Sequence, residues 1–263
     1  MENKISILMS TYNEPVEWIE ESINSILEQT YTNFEFIIIC DNPKNSELVD
    51  YLYEKSLMDS RIILSINEQN IGLADSLNKA FSLSNGEFIA RMDADDISYT
   101  NRFFEQINYL LSNNDVDFIS SDVNVIDEDN SIIDKAEGSF YSNEGLLKIL
   151  PYANVLIHPT FLFRRSVFER VGGYRSFPTA EDYDFVLRLL TSQVCMVKTS
   201  DVFLKYRIRK NSMSLGSALS SQICSNYIKS LYKERLENNV DSFNLSYLNK
   251  KLDVAEKDKV YTI

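Results

Sequence analysis

Disulfide-forming cysteine, a cationic surplus and long apolar runs are all missing from this sequence. Only three cysteines occur in 263 residues, Cys40, Cys195 and Cys224, widely spaced and without a CxxC pair. That pattern neither staples a secreted fold nor builds a zinc site, and it points to a reducing, cytoplasmic setting. Basic residues number 26 against 39 acidic ones, giving a net charge of −13 and a sequence pI near 4.6. Such a surface repels nucleic acid and anionic lipid at long range, so no nucleic-acid partner is expected, although a local basic patch is compatible with it. No apolar run approaches the roughly 20 residues that span a bilayer. The N-terminal stretch lacks the basic start and small-residue cleavage site of a signal peptide. Any membrane contact is expected to be peripheral, at the inner face of the cytoplasmic membrane.

Hydrophobic residues make up 44% and charged residues 25%, an ordinary balance for a globular protein. The length suits one large α/β domain, or a domain with a small appendage. The first half alternates short apolar runs with helical patterns. Strands are expected at Lys4 to Ser10, Phe34 to Asp41, Arg61 to Ile66 and Glu87 to Met92. Helices are expected at Pro15 to Glu28, Ser46 to Leu57 with Ser46 as cap, and Leu73 to Leu83. This alternation implies a mostly parallel sheet covered on both faces, with ligands beyond the carboxyl ends of its strands. Three polar clusters fall at those ends: Thr11-Tyr12-Asn13, Asp41-Asn42 and Asp93-Ala94-Asp95-Asp96.

The second half is less regular, and no element is assigned between Asp96 and Val116. Val116 to Asp122 reads as a strand, Asn124 to Ile133 as a hairpin, and Ser142 to Leu150 as a helix. A short strand at Thr160 to Arg164 precedes a helix that stops at Gly172-Gly173. A helix over Glu181 to Thr191 and strands near Cys195 to Thr199 and Phe203 to Arg207 follow. Leu219, Ile223, Tyr227 and Leu231 recur every four residues within Ser217 to Asn238, an amphipathic helix expected to pack on the domain. Its Lys229, Lys233 and Arg235 also suit a membrane surface, against which Glu234 and Glu237 count.

Clustered carboxylates such as Asp93, Asp95 and Asp96 suit a solvated turn or a helix cap. After a buried strand they equally suit a divalent cation, because Mg²⁺ and Mn²⁺ take carboxylate, phosphate and water oxygens. A calcium loop is excluded: counted from Asp93, the sixth position is Ser98 and the twelfth Phe104, where Gly and Glu are required. Tyr12 and Asn13 before Pro15 also read as plain turn chemistry. Glu181 and Asp182 at a helix start offset its dipole, or serve as proton acceptors. The single histidine, His158, suits either a hydrogen-bonded structural role or contact with a substrate. Tyr206 to Lys210 is a cationic run, either solvated or bound to a diphosphate.

These stretches together resemble family 2 glycosyltransferases. The matching segments run in the family's order over about residues 4 to 210. They are Ser6 to Asn13, Ser25 to Tyr31, Asn70 to Leu73, Asn85 to Asp96, His158-Pro159-Thr160, Gly172-Gly173-Tyr174 and Ala180 to Asp184. The resemblance implies a single Rossmann-like A-type glycosyltransferase domain: a mixed, mostly parallel sheet flanked by helices, with a C-terminal helical extension. Residues 1–96 would form the nucleotide-binding half, 97–210 the acceptor-binding half and 211–263 the extension. Thr11, Tyr12, Asn13 and Asp41 would hold the nucleotide, with Asn70 and Asn78 lining the donor site. Asp93 would meet the ribose or the metal, and Asp95 would ligate Mn²⁺ or Mg²⁺. Asp182, beside Glu181, would be the general base, while His158, Arg207 and Arg209 would contact acceptor or diphosphate.

The family commonly has a histidine near Arg209, and its loss here weakens any histidine role in the loop continuing into Asn211-Ser212-Met213-Ser214. Processive synthases of the wider family carry Gln-x-x-Arg-Trp and membrane spans. Both are absent, so transfer of a single sugar is expected. The resemblance is to bacterial enzymes of O-antigen or capsule synthesis. It implies inverting transfer from a UDP-sugar, UDP-glucose by preference, to an undecaprenyl-diphosphate-linked N-acetylhexosamine. Two other functions fit the sequence less well. A nucleotidyltransferase would show a glycine-rich, basic loop, whereas Ser10 to Pro15 has no Gly, Arg or Lys. A non-catalytic nucleotide-sugar module would have no need of Asp182.

Overall fold

The computed structural model describes residues 3–209 and 218–260, with side chains of the last helix described to residue 255. The loop after Arg209, including the serines noted above, lies outside the described residues. Strand β1 (Ile5–Thr11) is followed by α1 (Val16–Leu27), β2 (Phe34–Cys40), α2 (Ser46–Met58), β3 (Ile62–Ile66), α3 (Leu73–Leu83) and β4 (Phe88–Arg91). The ladders among these four strands are all parallel, in the order β3-β2-β1-β4. Next come β5 (Ile97–Ser98), α4 (Arg102–Ser112), β6 (Phe118–Ile126), β7 (Ile132–Asp134) and α5 (Asn143–Ile149). A single 3₁₀ turn (His158–Thr160), β8 (Leu162–Arg164), α6 (Arg165–Val171), α7 (Glu181–Thr191) and β9 (Met196–Arg207) complete the sheet region. The extension is α8 (Ala218–Asn238) and α9 (Leu245–Val260). The nine-stranded sheet continues from β4 through β8, β6 and β9 to β5. In this half only β6 and β9 run parallel; the other ladders are antiparallel.

Period-two alternation sorts the strand residues between two cores. Phe36, Ile38 and Cys40 pack with Ile19, Ile23 and Ile26 of α1 and with Phe103, Ile107 and Leu110 of α4. Ile37 and Ile39 face the other way, onto Leu77 of α3, Phe168 of α6 and Phe185 and Leu189 of α7. Each of these large side chains contributes about 1.5–3 kcal/mol on burial. The extension shares the second core through Cys224, Tyr227, Ile228 and Leu231. Packing, as expected, is what α8 does. No helix among the described residues is long and apolar enough to cross a membrane.

Several elements depart from expectation. Asn45, not Ser46, caps α2, its side chain accepting from Leu48 N at 3.2 Å. The two strands expected at Cys195 to Thr199 and Phe203 to Arg207 are one, β9, with exposed Ser200 and Asp201 in its middle and a register shift opposite. Helix α4, unassigned from sequence, buries Arg102 and Gln106 among its apolar residues. Those polar residues break the apolar stripe. Arg102 donates to Arg91 O (2.8 Å) and Gln106 to Thr160 O (2.8 Å), so burial leaves them satisfied.

Two family-like stretches are structural. Gln29 donates to Tyr99 O at 2.7 Å and accepts from Phe103 N at 3.2 Å, tying α1 to the start of α4. Gly86 donates to Ser6 Oγ at 2.7 Å, and a Cβ there would stand 2.6 Å from Ser6 N. Only glycine admits that approach.

Candidate active site

The carboxyl ends of β1, β2 and β4 open onto one cleft of about 670 Å³. Thr11, Tyr12, Asn13, Asp41, Asn70, Asp93, Asp95, Glu181 and Arg209 all line it. An adjoining cavity of about 320 Å³ adds Asp182, His158 and Arg207 and shares Asp93, Asp95, Glu181 and Arg209 with the first. The parallel sheet produces this convergence, because consecutive strands end on the same edge.

On the β1–β2 side the backbone is organised by carboxylates. Asp41 is buried and accepts from Asn67 Nδ2 (2.7 Å), Ile71 N (2.9 Å) and Gly72 N (2.9 Å). Gly72 takes φ +86° to open α3, a left-handed geometry that favours glycine. Glu14 accepts from Thr11 Oγ1 (2.8 Å) and Tyr12 N (2.7 Å), which fixes the turn and leaves the Tyr12 ring exposed. Glu14 was not singled out from sequence, where it reads as one more polar residue of a turn before Pro15.

The Asp93–Asp96 turn follows β4. Asp93 is ion-paired with buried Arg91. Asp95 is pushed up to about 6, by burial first and then by Asp93. Asp96 is fully buried and raised well above the ordinary carboxylate range, again by burial and then by Asp93 and Asp95. It accepts Arg207 N at 2.8 Å, while its other oxygen lacks a hydrogen-bond partner. Carboxylates crowded at the mouth of a cleft fit a hard divalent cation, which relieves their repulsion. Among the described residues no three carboxylate, cysteine or histidine side chains form a ready-made cage. Asp93 and Asp95 would therefore hold a metal as a pair, with phosphate and water oxygens completing its shell.

Facing this turn is the start of α7. Ala180 at its N-cap has φ +65°, a strained left-handed conformation for a residue with a Cβ. Asp182 is half-buried and accepts Asn154 Nδ2 at 2.9 Å. Burial chiefly raises its pKa. Glu181 is pushed up to about 7, by burial and then by Asp182. Nothing in the sequence pattern marks Asn154, which meets Asp182 only through the fold. His158 is buried, 2.9 Å from Tyr174 Oη through Nε2 and 3.8 Å from Glu181 through Nδ1. Burial, with Arg91 nearby, holds its pKa well below the usual value, so the imidazole is neutral. Two carboxylates of raised proton affinity, Glu181 and Asp182, thus share one cavity with Asp93 and Asp95.

The two arginines separate. Arg207 is buried against Trp18, its guanidinium donating to Asp95 O (2.7 Å), Asp127 O (3.1 Å) and Glu21 (2.8 Å). It borders the smaller cavity but holds the Asp95–Asp96 turn in place. Arg209 stands in the cleft, 3.3 Å from Glu14 and 3.2 Å from Asp95. Asn78, expected in the donor site, lines neither cavity. It clamps Tyr174 instead, donating to its carbonyl (2.9 Å) and accepting from its amide (2.9 Å). An amide one turn further along α3 faces the α6–α7 loop, not the strand ends.

Residues 6–172 match the family described as Glycosyl transferase family 2. The O-antigen biosynthesis glycosyltransferase WbnJ of Escherichia coli is 33% identical over 235 residues, covering 88% of this chain and 90% of its own length. An Escherichia coli UDP-Gal:alpha-D-GlcNAc-diphosphoundecaprenol beta-1,3-galactosyltransferase is 33% identical over 206 residues, 72% of this chain and 68% of its own. The corresponding UDP-Glc-dependent beta-1,3-glucosyltransferase WfgD of Escherichia coli is 40% identical over 110 residues, 42% of each chain. Among solved structures, S. aureus TarS 1-349 with UDP-GlcNAc superposes with a TM-score of 0.71 at 18% identity, covering 93% of this chain and 69% of that one. The mannosyltransferase PcManGT of Pyrobaculum calidifontis, with GDP-Man and Mn²⁺, gives 0.62 at 17% identity, covering 79% and 58%. Both share the fold.

Proposed function

The chain belongs to glycosyl transferase family 2 and is a glycosyltransferase; from that premise we propose that it transfers one hexose, with inversion, from a UDP-sugar to a hydroxyl of an undecaprenyl-diphosphate-linked N-acetylhexosamine in O-antigen or capsule synthesis. The observation that carries this reading is the smaller cavity, lined by both the Asp93–Asp95 turn and the Glu181–Asp182 helix start. The acceptor class is supported by two relatives named for diphosphoundecaprenol-linked GlcNAc acceptors. UDP-glucose is the preferred donor and UDP-galactose its nearest competitor, one for each of those relatives.

In this reading Thr11, Tyr12 and Asn13 bind the nucleotide from one side. Asp41 shapes the Asn70–Gly72 loop on the other. Asp95, with Asp93, would hold Mn²⁺ or Mg²⁺, and the bound cation supplies fixed positive charge to the departing diphosphate. Arg209 is placed to add a second charge, moving from Asp95 to the diphosphate. Asp182 takes the proton of the attacking hydroxyl, and Asn154 holds its carboxylate in line. Buried Glu181 and neutral His158 keep that wall low in dielectric, which raises the proton affinity of Asp182. No covalent intermediate is needed, since base and leaving group act on opposite faces of the sugar.

The test is UDP release with a panel of UDP-sugars and a synthetic diphosphate-lipid-linked N-acetylhexosamine, in Mn²⁺, Mg²⁺ or EDTA. Release that requires acceptor and disappears with chelator supports the reading and names the donor. Absence of metal-dependent UDP binding would overturn the donor site built on Asp93 and Asp95.

A further inference from the structure

The matched family region ends at residue 172, yet the larger cavity is walled by residues beyond it. Ser176, Phe177 and Pro178 come from the loop before α7, and Leu245 and Asn249 come from α9. A spacing of four places Leu245 and Asn249 on one face of that helix.

The helix is anchored without help from any ligand. Leu248 is fully buried. Phe243 packs on Phe177 with ring centroids 5.0 Å apart, and Asn244 N donates to Tyr227 Oη at 2.9 Å. Asp241 accepts Arg175 at 3.0 Å and pairs with Arg235 of α8. The loop through Phe177 and the start of α9 therefore form one wall. Only two residues separate Pro178 from Glu181, so this wall runs directly into the base-bearing helix. Asp93, Asp95 and Glu181 line the same cavity as Leu245 and Asn249 and also border the smaller cavity with Asp182, so a sugar held between the Asp93–Asp95 pair and the helix start reaches this wall. Asn249 itself is exposed in the cleft, and its amide makes no hydrogen bond among the described residues.

We propose that Leu245 and Asn249 are specificity residues for the transferred hexose: the Asn249 amide exchanges hydrogen bonds with sugar hydroxyls, and Leu245 gives the ring an apolar wall. An amide suits this task because it donates and accepts at one position, as a hydroxyl does. The inference rests on the donor reading above and assigns the C-terminal extension a share of the site.

Calorimetric binding of UDP and of a UDP-sugar panel in Mn²⁺ tests it without an acceptor. Asn249→Ala weakens the preferred UDP-sugar about ten-fold, the usual loss for one hydrogen-bonding group in a discriminating site. Affinity for UDP stays within about two-fold, and thermal stability is unchanged because the side chain is exposed. Asn249→Asp, which keeps an acceptor and loses the donor, reorders the preference among UDP-sugars. Equal weakening of UDP and UDP-sugar, or unaltered affinity and ranking in both variants, overturns the proposal while the donor reading stands. If the wild-type protein binds no UDP at all, the donor reading falls and takes this inference with it.

Discussion

Asp41 and Glu181 are both buried carboxylates on the same cleft, but the two walls hold them in opposite ways. Asp41 accepts three hydrogen bonds from a side-chain amide and two backbone N–H groups, all within 3 Å. Glu181 has the neutral His158 imidazole at 3.8 Å and is pushed up to about 7 by burial and by Asp182. The β1–β2 wall uses a carboxylate as scaffolding, satisfied by a loop it organises. The α7 wall keeps Glu181 and Asp182 under-solvated, which raises the proton affinity of both. Rigid placement needs hydrogen-bonded carboxylates, whereas proton transfer needs a matched pKa; both groups are buried, and the three hydrogen bonds made to Asp41 are what distinguish them.

Variants on the two walls should therefore fail differently. Asp182→Asn is expected to lower transfer by about 10³-fold or more while UDP binding persists, since a positioned base contributes on the order of 10²–10⁴. Steady-state UDP release beside calorimetric UDP binding measures the split, and unimpaired transfer would sink the base assignment. Asp41→Ala leaves three donors unpaired and should cost about 3 kcal/mol of stability, with loss of UDP binding. Urea unfolding reads the first effect, and a loss below about 1 kcal/mol would mean the loop is held by other contacts.

Glu181→Gln sharpens the contrast through pH. A glutamic acid raised from an ordinary 4.5 to about 7 binds more protons folded than unfolded between those values. Stability is consequently lost as pH rises through that window and stays low above it. Glutamine removes the penalty, so the variant should melt several degrees higher than wild type at pH 8 and about level with it at pH 4. A shift of equal size at both pH values would locate the effect outside the ionisation of Glu181. The smallest effect is Ala180→Gly, which relieves a Cβ at φ +65° and should stabilise by about 0.5–1 kcal/mol. Destabilisation there would show that the cap geometry depends on the methyl group.

Legibility in the sequence follows the same division. The clusters at Thr11, Asp41 and Asp93 were readable because each sits at the end of a short apolar strand, and a parallel sheet brings such ends together. Helix α4 was hidden because Arg102 and Gln106 occupy core-facing positions that ordinarily signal solvent. Strand β9 read as two because its middle is exposed at Ser200 and Asp201. Asn78 and Arg207 carry donor-site chemistry on paper, but the fold commits one to Tyr174 and the other to the Asp95–Asp96 turn.

Local order along the chain by itself determined the α/β class, the strand-end clusters and the family, because alternation and short motifs are properties of neighbouring residues. Tertiary structure alone decided which carboxylates are satisfied and which are raised, since Asn154 and Asp182 lie 28 positions apart and Arg207 and Asp95 lie 112 apart. It also decided that a helix beginning at Leu245 walls a cleft opened by Thr11. Desolvation and long-range hydrogen bonding depend on which chain segments meet, and no local pattern encodes that meeting.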